Sequence, residues 1–230
     1  MTDTLPSSEL DVDASEPAGT NLRRTLIAVI AVLALVVAGG VGYIWGSSGS
    51  SSSPSMPGVN SVDAGFARDM ATHHQQAITM AGYTRDNDTN VLVKTIAFDI
   101  ETSQSVQMGQ MEGWLQQWGV SRTSGKPMSW MKGMHVHVGI NGLMPGMASP
   151  AQMNKLLSSH GKALSILFLQ LMIRHHQGGV LMAQYAMRHA TEPYVRQLAA
   201  NMYTVQNDEI VQMEQILRQL GGSPLPPPKM

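Results

Sequence analysis

Phe66-Ala-Arg-Asp-Met70-Ala-Thr-His73-His74-Gln75 and Phe168-Leu-Gln-Leu-Met172-Ile-Arg-His175-His176-Gln177 are two copies of one pattern, and they decide how the chain folds. Sliding residues 66–119 onto 168–221 at a constant offset of 102, without a gap, gives 19 identities in 54 positions. Among them are Met80/Met182, Tyr83/Tyr185, Gln104/Gln206, Met111/Met213, Glu112/Glu214 and Gly119/Gly221. Chance supplies only a handful over such a length. The segment is duplicated.

Each copy reads as a helical hairpin. Phe66, Met70, His73, Ala77 and Met80 recur at spacings of four and three, the signature of one helix face. A polar break at residues 85–89 precedes a second periodic run from Val91 to Trp118, stopped by Gly119. The second copy repeats the seam as Phe168, Met172, His175, Gly179 and Met182. It breaks near Thr191-Glu-Pro193 and runs from Tyr194 to Leu220. One hairpin cannot bury its own apolar seam, whereas two related by a pseudo-twofold close a bundle. The fold class is therefore all-α, a four-helix bundle from two duplicated hairpins. The helix entering the second copy is expected to begin at Pro150, capped by Ser149.

Upstream, residues 1–24 are polar and acidic until Arg23 and Arg24, and read as a disordered cytoplasmic tail. Residues 25–45 carry no charge and are rich in Ala, Val, Leu and Ile; at roughly 1.5 Å per residue they span about 30 Å, the thickness of a bilayer core. A cleaved signal peptide has a shorter apolar region and a shorter leader. The length and the interfacial Tyr43 and Trp45 favour an uncleaved, single-pass anchor, with the paired arginines inside and the rest exported. Residues 46–60 form a Ser/Gly-rich linker, 61–222 the duplicated bundle, and 223–230 a Pro-rich tail.

Composition excludes several chemistries. The 230 residues include no Cys, so disulfides, zinc–thiolate and iron–sulfur sites and a cysteine nucleophile are all ruled out. Net charge is −1 and the cations are scattered, so nucleic acid is not an expected partner. The unusual counts are 18 Met and 8 His, against 3 Phe and 5 Tyr. Met alone is a common core filler. Its placement beside His is what points to a metal.

His73 and His175 lie on the seams with Met80 and Met182, while His74 and His176 turn about 100° to the flank. Asp69, four residues before His73, shares its face and is suited to joint coordination or to orienting the imidazole. Folding each hairpin about its break brings residues 101–108 level with His73 and 203–210 level with His175. Those windows hold Glu101, Gln104, Gln107 and Met108, then Gln206, Asp208 and Glu209. A single buried His held by Gln or a carboxylate is an ordinary structural hydrogen bond; a duplicated His-His pair among methionines is not. The crossover adds Met128, Met131, Met134, His135, His137, Met144, Met147 and Met153, six Met and two His in 26 residues of a Gly- and Pro-containing connector. Thioethers are soft ligands that discriminate for Cu(I), and imidazole serves copper or zinc. The alternative for the connector is an apolar flap across the bundle.

At His73-His-Gln-Gln-Ala, Met172-Ile-Arg-His-His-Gln-Gly-Gly and Met144-Pro-Gly-Met147, the sequence resembles the ferritin-like "domain of unknown function 305" family over about residues 60–221. The resemblance implies a ferritin-like four-helix bundle, commonly exported, with some relatives associated with copper binding or tolerance. It places His73, His74, His175 and His176 at the family's signature positions. The family commonly has Pro before the second His pair, where this chain has Arg174; Thr72 precedes the first. No Glu-x-x-His occurs anywhere in the chain, so ferroxidase-type di-iron chemistry is disfavoured and no enzymatic activity is expected.

The expected function is a membrane-anchored, extracytoplasmic copper-binding protein for sequestration or handover, another divalent metal being possible. Its metal ligands would come from Asp69, Met80, Met182, the four paired histidines and the crossover residues from Met128 to Met147. The competing reading is a non-enzymatic envelope scaffold or accessory subunit with an envelope protein partner. A metal-dependent enzyme lacks an identifiable nucleophile or general base.

Overall fold

A computed structural model of the chain describes residues 56–134, 138 and 142–228. The expected tail 1–24, anchor 25–45 and most of the linker lie outside the described residues, as do His135 and His137. Among the described residues no helix is long and apolar enough to cross a membrane.

Those residues are helical and contain no strand. Four long helices, α1 (Val62–Asn87), α2 (Val91–Gln117), α4 (Gly161–His189) and α5 (Pro193–Gln219), are joined by a crossover that carries the short α3 (Pro150–Leu157). Local chemistry sets the starts. Ser61 accepts the Ala64 amide at the head of α1, and Asn90 accepts the Val93 amide at the head of α2. Ser149 and Gln152 form a reciprocal capping box before Pro150. The entry helix expected from Pro150 is interrupted, however: α3 ends at Leu157 and α4 begins afresh at Gly161. Ser158 and Ser159 hydroxyls donate to the Asn154 and Lys155 carbonyls and close the shorter helix. Through Arg174, where the family commonly has Pro, α4 is unbroken.

Each hairpin packs along its length, α1 on α2 and α4 on α5, and the hairpins meet through α1 and α4. These two central helices run antiparallel, which yields two apolar cores. One gathers Phe66, Met70, Met111 and Leu115 with Met182, Val195, Leu198 and Met202. The other gathers Phe168, Met172, Met213 and Leu217 with Met80, Val93, Ile96 and Ile100. Every residue in the first set is the offset-102 mate of one in the second. The duplication therefore shows in the packing as a pseudo-twofold that passes between the cores, at the level of His73 and His175.

Two buried acids lock the hairpins together. Asp63 accepts the amides of Thr191 and Glu192, the turn into α5. Asp88, at the α1–α2 turn, accepts the Ser165 hydroxyl from α4. Ser165 is the repeat mate of Asp63, so the same joint is built twice with the acid on opposite sides.

Candidate metal centre

Between the two cores, His73, His74, His175 and His176 are each no more than 1% exposed. The central helices bring His73 and His175 into face contact, ring centroids 3.7 Å apart with the planes 32° from parallel. The His175 and His176 rings lie 6.4 Å apart. Antiparallel packing about the pseudo-axis makes this juxtaposition unavoidable once the repeat is buried.

Three of the imidazoles have fixed tautomers. His73 Nε2 donates to the Pro145 carbonyl at 3.1 Å, His74 Nε2 to Gln107 Oε1 at 2.9 Å, and His176 Nε2 to Glu209 Oε2 at 2.8 Å. A carbonyl or carboxylate oxygen only accepts, so the proton sits on Nε2 and the lone pair on Nδ1. The Nδ1 atoms of all three rings are buried without a partner, as is Nε2 of His175. Gln104 and Gln206, equivalent residues one turn before Gln107 and Glu209, each bury an unpartnered Oε1 as well. Three equivalent positions thus carry an orphan polar atom in both copies.

Burial favours the neutral form of His73, His74 and His175. Desolvation lowers the His73 pKa to about 4, opposed by the bond to Pro145 and aided by the nearby His176. It lowers that of His74 to about 3, against the bond to Gln107. His175 is pushed well below the ordinary value by burial and then by the other three imidazoles. Neutral imidazole is the form that ligates a metal. Met70 and Met172, one turn before His74 and His176, are fully buried, as are Met80 and Met182. Among the described residues no three His, Asp or Glu side chains stand as a ready ligand cluster; the imidazoles are presented as pairs, with buried methionines one or two turns away along the same helices.

The crossover behaves differently. Asp69 does not face an imidazole as a free carboxylate: Oδ1 accepts from Arg68 Nε at 3.0 Å, and Oδ2 from the Met128 amide at 2.6 Å and Trp130 Nε1 at 2.8 Å. It anchors the crossover onto α1. Met128, Met131 and Met144 are buried in the same core as Phe66 and Met70, and Trp130 sits edge-on to Phe66. Met147 is half-buried, and Met134 is exposed at the rim of a surface pocket with Tyr185, Arg188 and His189.

Segment 144–148 straps the histidine layer. Gln76 clamps it by a two-way pairing with Ala148, amide to carbonyl at 2.9 Å and backbone N–H to Oε1 at 2.7 Å. Gly146 takes φ +81, and a Cβ at Gly146 or at Gly178 would overlap backbone on the opposing segment. Glycine at both positions lets the Pro145 carbonyl reach His73. Hairpin register places Gln104, Gln107, Gln206 and Glu209 level with the histidines together with Glu101, Met108 and Asp208, and does not select among them. It missed Pro145 and Gln76, whose partners lie 72 residues away, beyond any local pattern.

Comparison with known proteins places this geometry. No curated protein sequence matches the chain. Among solved structures, a DUF305 protein from Streptomyces coelicolor, described as a candidate secreted protein, is 39% identical with a TM-score of 0.68, covering 74% of this chain and 99% of its own. A DUF305 fragment from Deinococcus radiodurans is 32% identical, TM-score 0.57, covering 69% and 96%. CopM in its Cu(II)-bound form is 28% identical, TM-score 0.53, covering 69% and 97%. Residues 63–217 match the domain of unknown function DUF305, and the chain belongs to that family.

Proposed function

We propose that this protein is a membrane-tethered, extracytoplasmic copper-binding protein whose paired imidazoles take up the metal for sequestration or handover. The observation that carries the reading is the twofold set of orphan atoms, on His73, His74 and Gln104 and again on His175, His176 and Gln206. Each buried polar atom left without a partner costs about 1–3 kcal/mol. Keeping an orphan atom at the same three positions in both repeats makes sense where a cation offsets that cost.

The donor chemistry selects the metal. His73, His74, His175 and His176 would hold it through their ring nitrogens, with the thioethers of Met70 and Met172 one turn away along the same helices. Oxygen-seeking cations want carboxylate cages; imidazole with thioether suits copper. When bound, copper supplies the positive charge that the unpartnered lone pairs would satisfy. CopM, a 28% identical relative by structure, has a Cu(II)-bound form, which favours the same cargo here. The apolar run at 25–45 behind Arg23 and Arg24, and the candidate secreted Streptomyces relative, support the export of residues 61–222.

Anaerobic Cu(I) titration of the detergent-solubilised full chain, in competition with a chromogenic chelator, tests the reading. The wild type is expected to bind at least about 100-fold more tightly than the double variant His73→Leu/His175→Leu, near 2.7 kcal/mol of binding energy. Equal affinities overturn it. A wild type that ignores copper and retains a stable membrane-protein partner would return the scaffold reading to first place.

A further inference from the structure

The two copies of the histidine layer differ in the group that the second histidine donates to. Gln107 and Glu209 are offset-102 mates, and each accepts from Nε2 of the second histidine of its own copy, at 2.9 and 2.8 Å. Everything else in the hydrogen-bonded pair is the same, including the Nδ1 atom left buried and unpartnered on each ring. One acceptor is a neutral amide and the other a carboxylate. We propose that the repeats are unequal half-sites: Glu209 makes the His176 imidazole the first and tighter donor for a copper ion, while Gln107 leaves His74 the second and weaker one. The inference rests on the copper reading above and goes beyond it in assigning order and a positioning residue.

Two physical effects act in the same direction. A carboxylate behind an imidazole fixes its orientation and raises the basicity of the far nitrogen, the arrangement that supports many metal-bound histidines. It also compensates charge. A cation entering a buried layer of neutral imidazoles and amides carries its charge into a poorly solvated place. The other buried acids are committed elsewhere: Asp69 to Arg68 and Trp130, Asp63 to the Thr191 and Glu192 amides, Asp88 to Ser165. Among the described residues, Glu209 is the anionic group hydrogen-bonded to an imidazole. One carboxylate matches one monovalent ion.

A second difference falls on the same side. Asp99, exposed on α2, has Asn201 as its repeat mate. Partial desolvation by the neighbouring helix surface raises the carboxyl pKa of this solvent-accessible Asp99, and the charge of Glu209 raises it further, so the two acids are within electrostatic reach. Acids therefore stand at positions 99 and 209, and amides at their repeat mates 201 and 107. The bias attracts a cation toward His176.

The experiment follows the imidazole nitrogens by NMR while Cu(I) is added anaerobically to the full-length, 15N-histidine-labelled protein. In the wild type the His176 signals are expected to move before those of His74. Glu209→Gln preserves the hydrogen bond and makes the two acceptors alike, so the two sets should move much closer together and the first ion should bind about 10–100-fold more weakly. Gln107→Glu should instead strengthen the second step, and it tests the idea independently if Glu209→Gln does not fold. Parallel movement in the wild type, or a first-ion affinity that neither variant changes, overturns the inequality while leaving copper binding intact. Absence of any Cu(I) binding by the wild type removes the copper reading itself.

Discussion

The histidine layer and the methionine crossover both concentrate soft donors, yet they treat those donors in opposite ways. In the layer, each imidazole keeps a buried nitrogen with no partner. In the crossover, Met128, Met131 and Met144 are packed among Phe66, Met70 and Trp130, and Asp69 accepts the Met128 amide and the Trp130 indole N–H. A count of Met and His does not separate these cases; an account of where each polar atom finds its partner does. Unmet hydrogen-bonding capacity marks a place for a ligand, and a satisfied apolar cluster marks a joint in the fold.

Acid should break the comparison most severely, because it attacks the layer alone. Burial holds the His73 and His74 pKa values at about 4 and about 3, below the unfolded value of 6.5. Between those limits the unfolded chain binds protons that the native one does not. The native state is therefore whole above pH 6.5 and loses stability as pH falls, by about 1.4 kcal/mol per unit for each ring, or about 3 kcal/mol each by pH 4. His175 adds to the loss in the same direction. Urea unfolding of the metal-free protein at pH 7.5, 6 and 5 measures it, and a midpoint that does not move would refute the buried neutral layer.

The crossover has its own weak point in Asp69. Asp69→Ala strands Arg68, 4% exposed, and removes the acceptor of Trp130 and of the Met128 amide. A loss of about 3–5 kcal/mol is expected, as for a broken buried ion pair. Copper binding by whatever protein remains folded should persist, since no imidazole is touched. Thermal unfolding with a parallel Cu(I) titration separates the two effects; lost affinity in a folded variant would restore Asp69 as a ligand.

Local periodicity and repeat symmetry made most of this legible in advance. The hairpin boundaries at residues 85–89 and Thr191–Pro193, the Ser149 cap and the placing of residues 101–108 level with the first histidine pair all follow from helix period and turn chemistry. Symmetry also implied that the two His pairs would meet on the pseudo-axis. The role of Asp69 was not legible. Its spacing from His73 is right for a helix-face pair, but its partners Met128 and Trp130 arrive from about sixty residues away. The strap was hidden for the same reason. The Met-rich connector looked the same from sequence whether its thioethers bound metal or filled space, because burial is a tertiary property.

His175→Leu sharpens the comparison from the other side. Nε2 of His175 is buried and unpartnered, so an apolar side chain of similar size removes a desolvation cost without removing a bond at that atom. The metal-free protein should gain about 1–2 kcal/mol at pH 7, while Cu(I) affinity falls. A variant both less stable and unchanged toward copper would make His175 a packing residue.

The smallest effects are expected in the crossover methionines. Met128→Leu, Met131→Leu and Met144→Leu keep volume and apolarity where thioether chemistry is the only thing lost. Each should change stability by less than about 1.5 kcal/mol and leave Cu(I) affinity unaltered, since these sulfurs already lie in apolar contact with the Phe66 core. Met134, exposed beside Tyr185 and His189, is the internal contrast, because its sulfur is open to a cation. If replacing the three buried methionines weakens copper binding while Met134→Leu does not, the thioethers leave their core contacts to reach the metal. The division between a ligand layer and a packing crossover would then have to be abandoned.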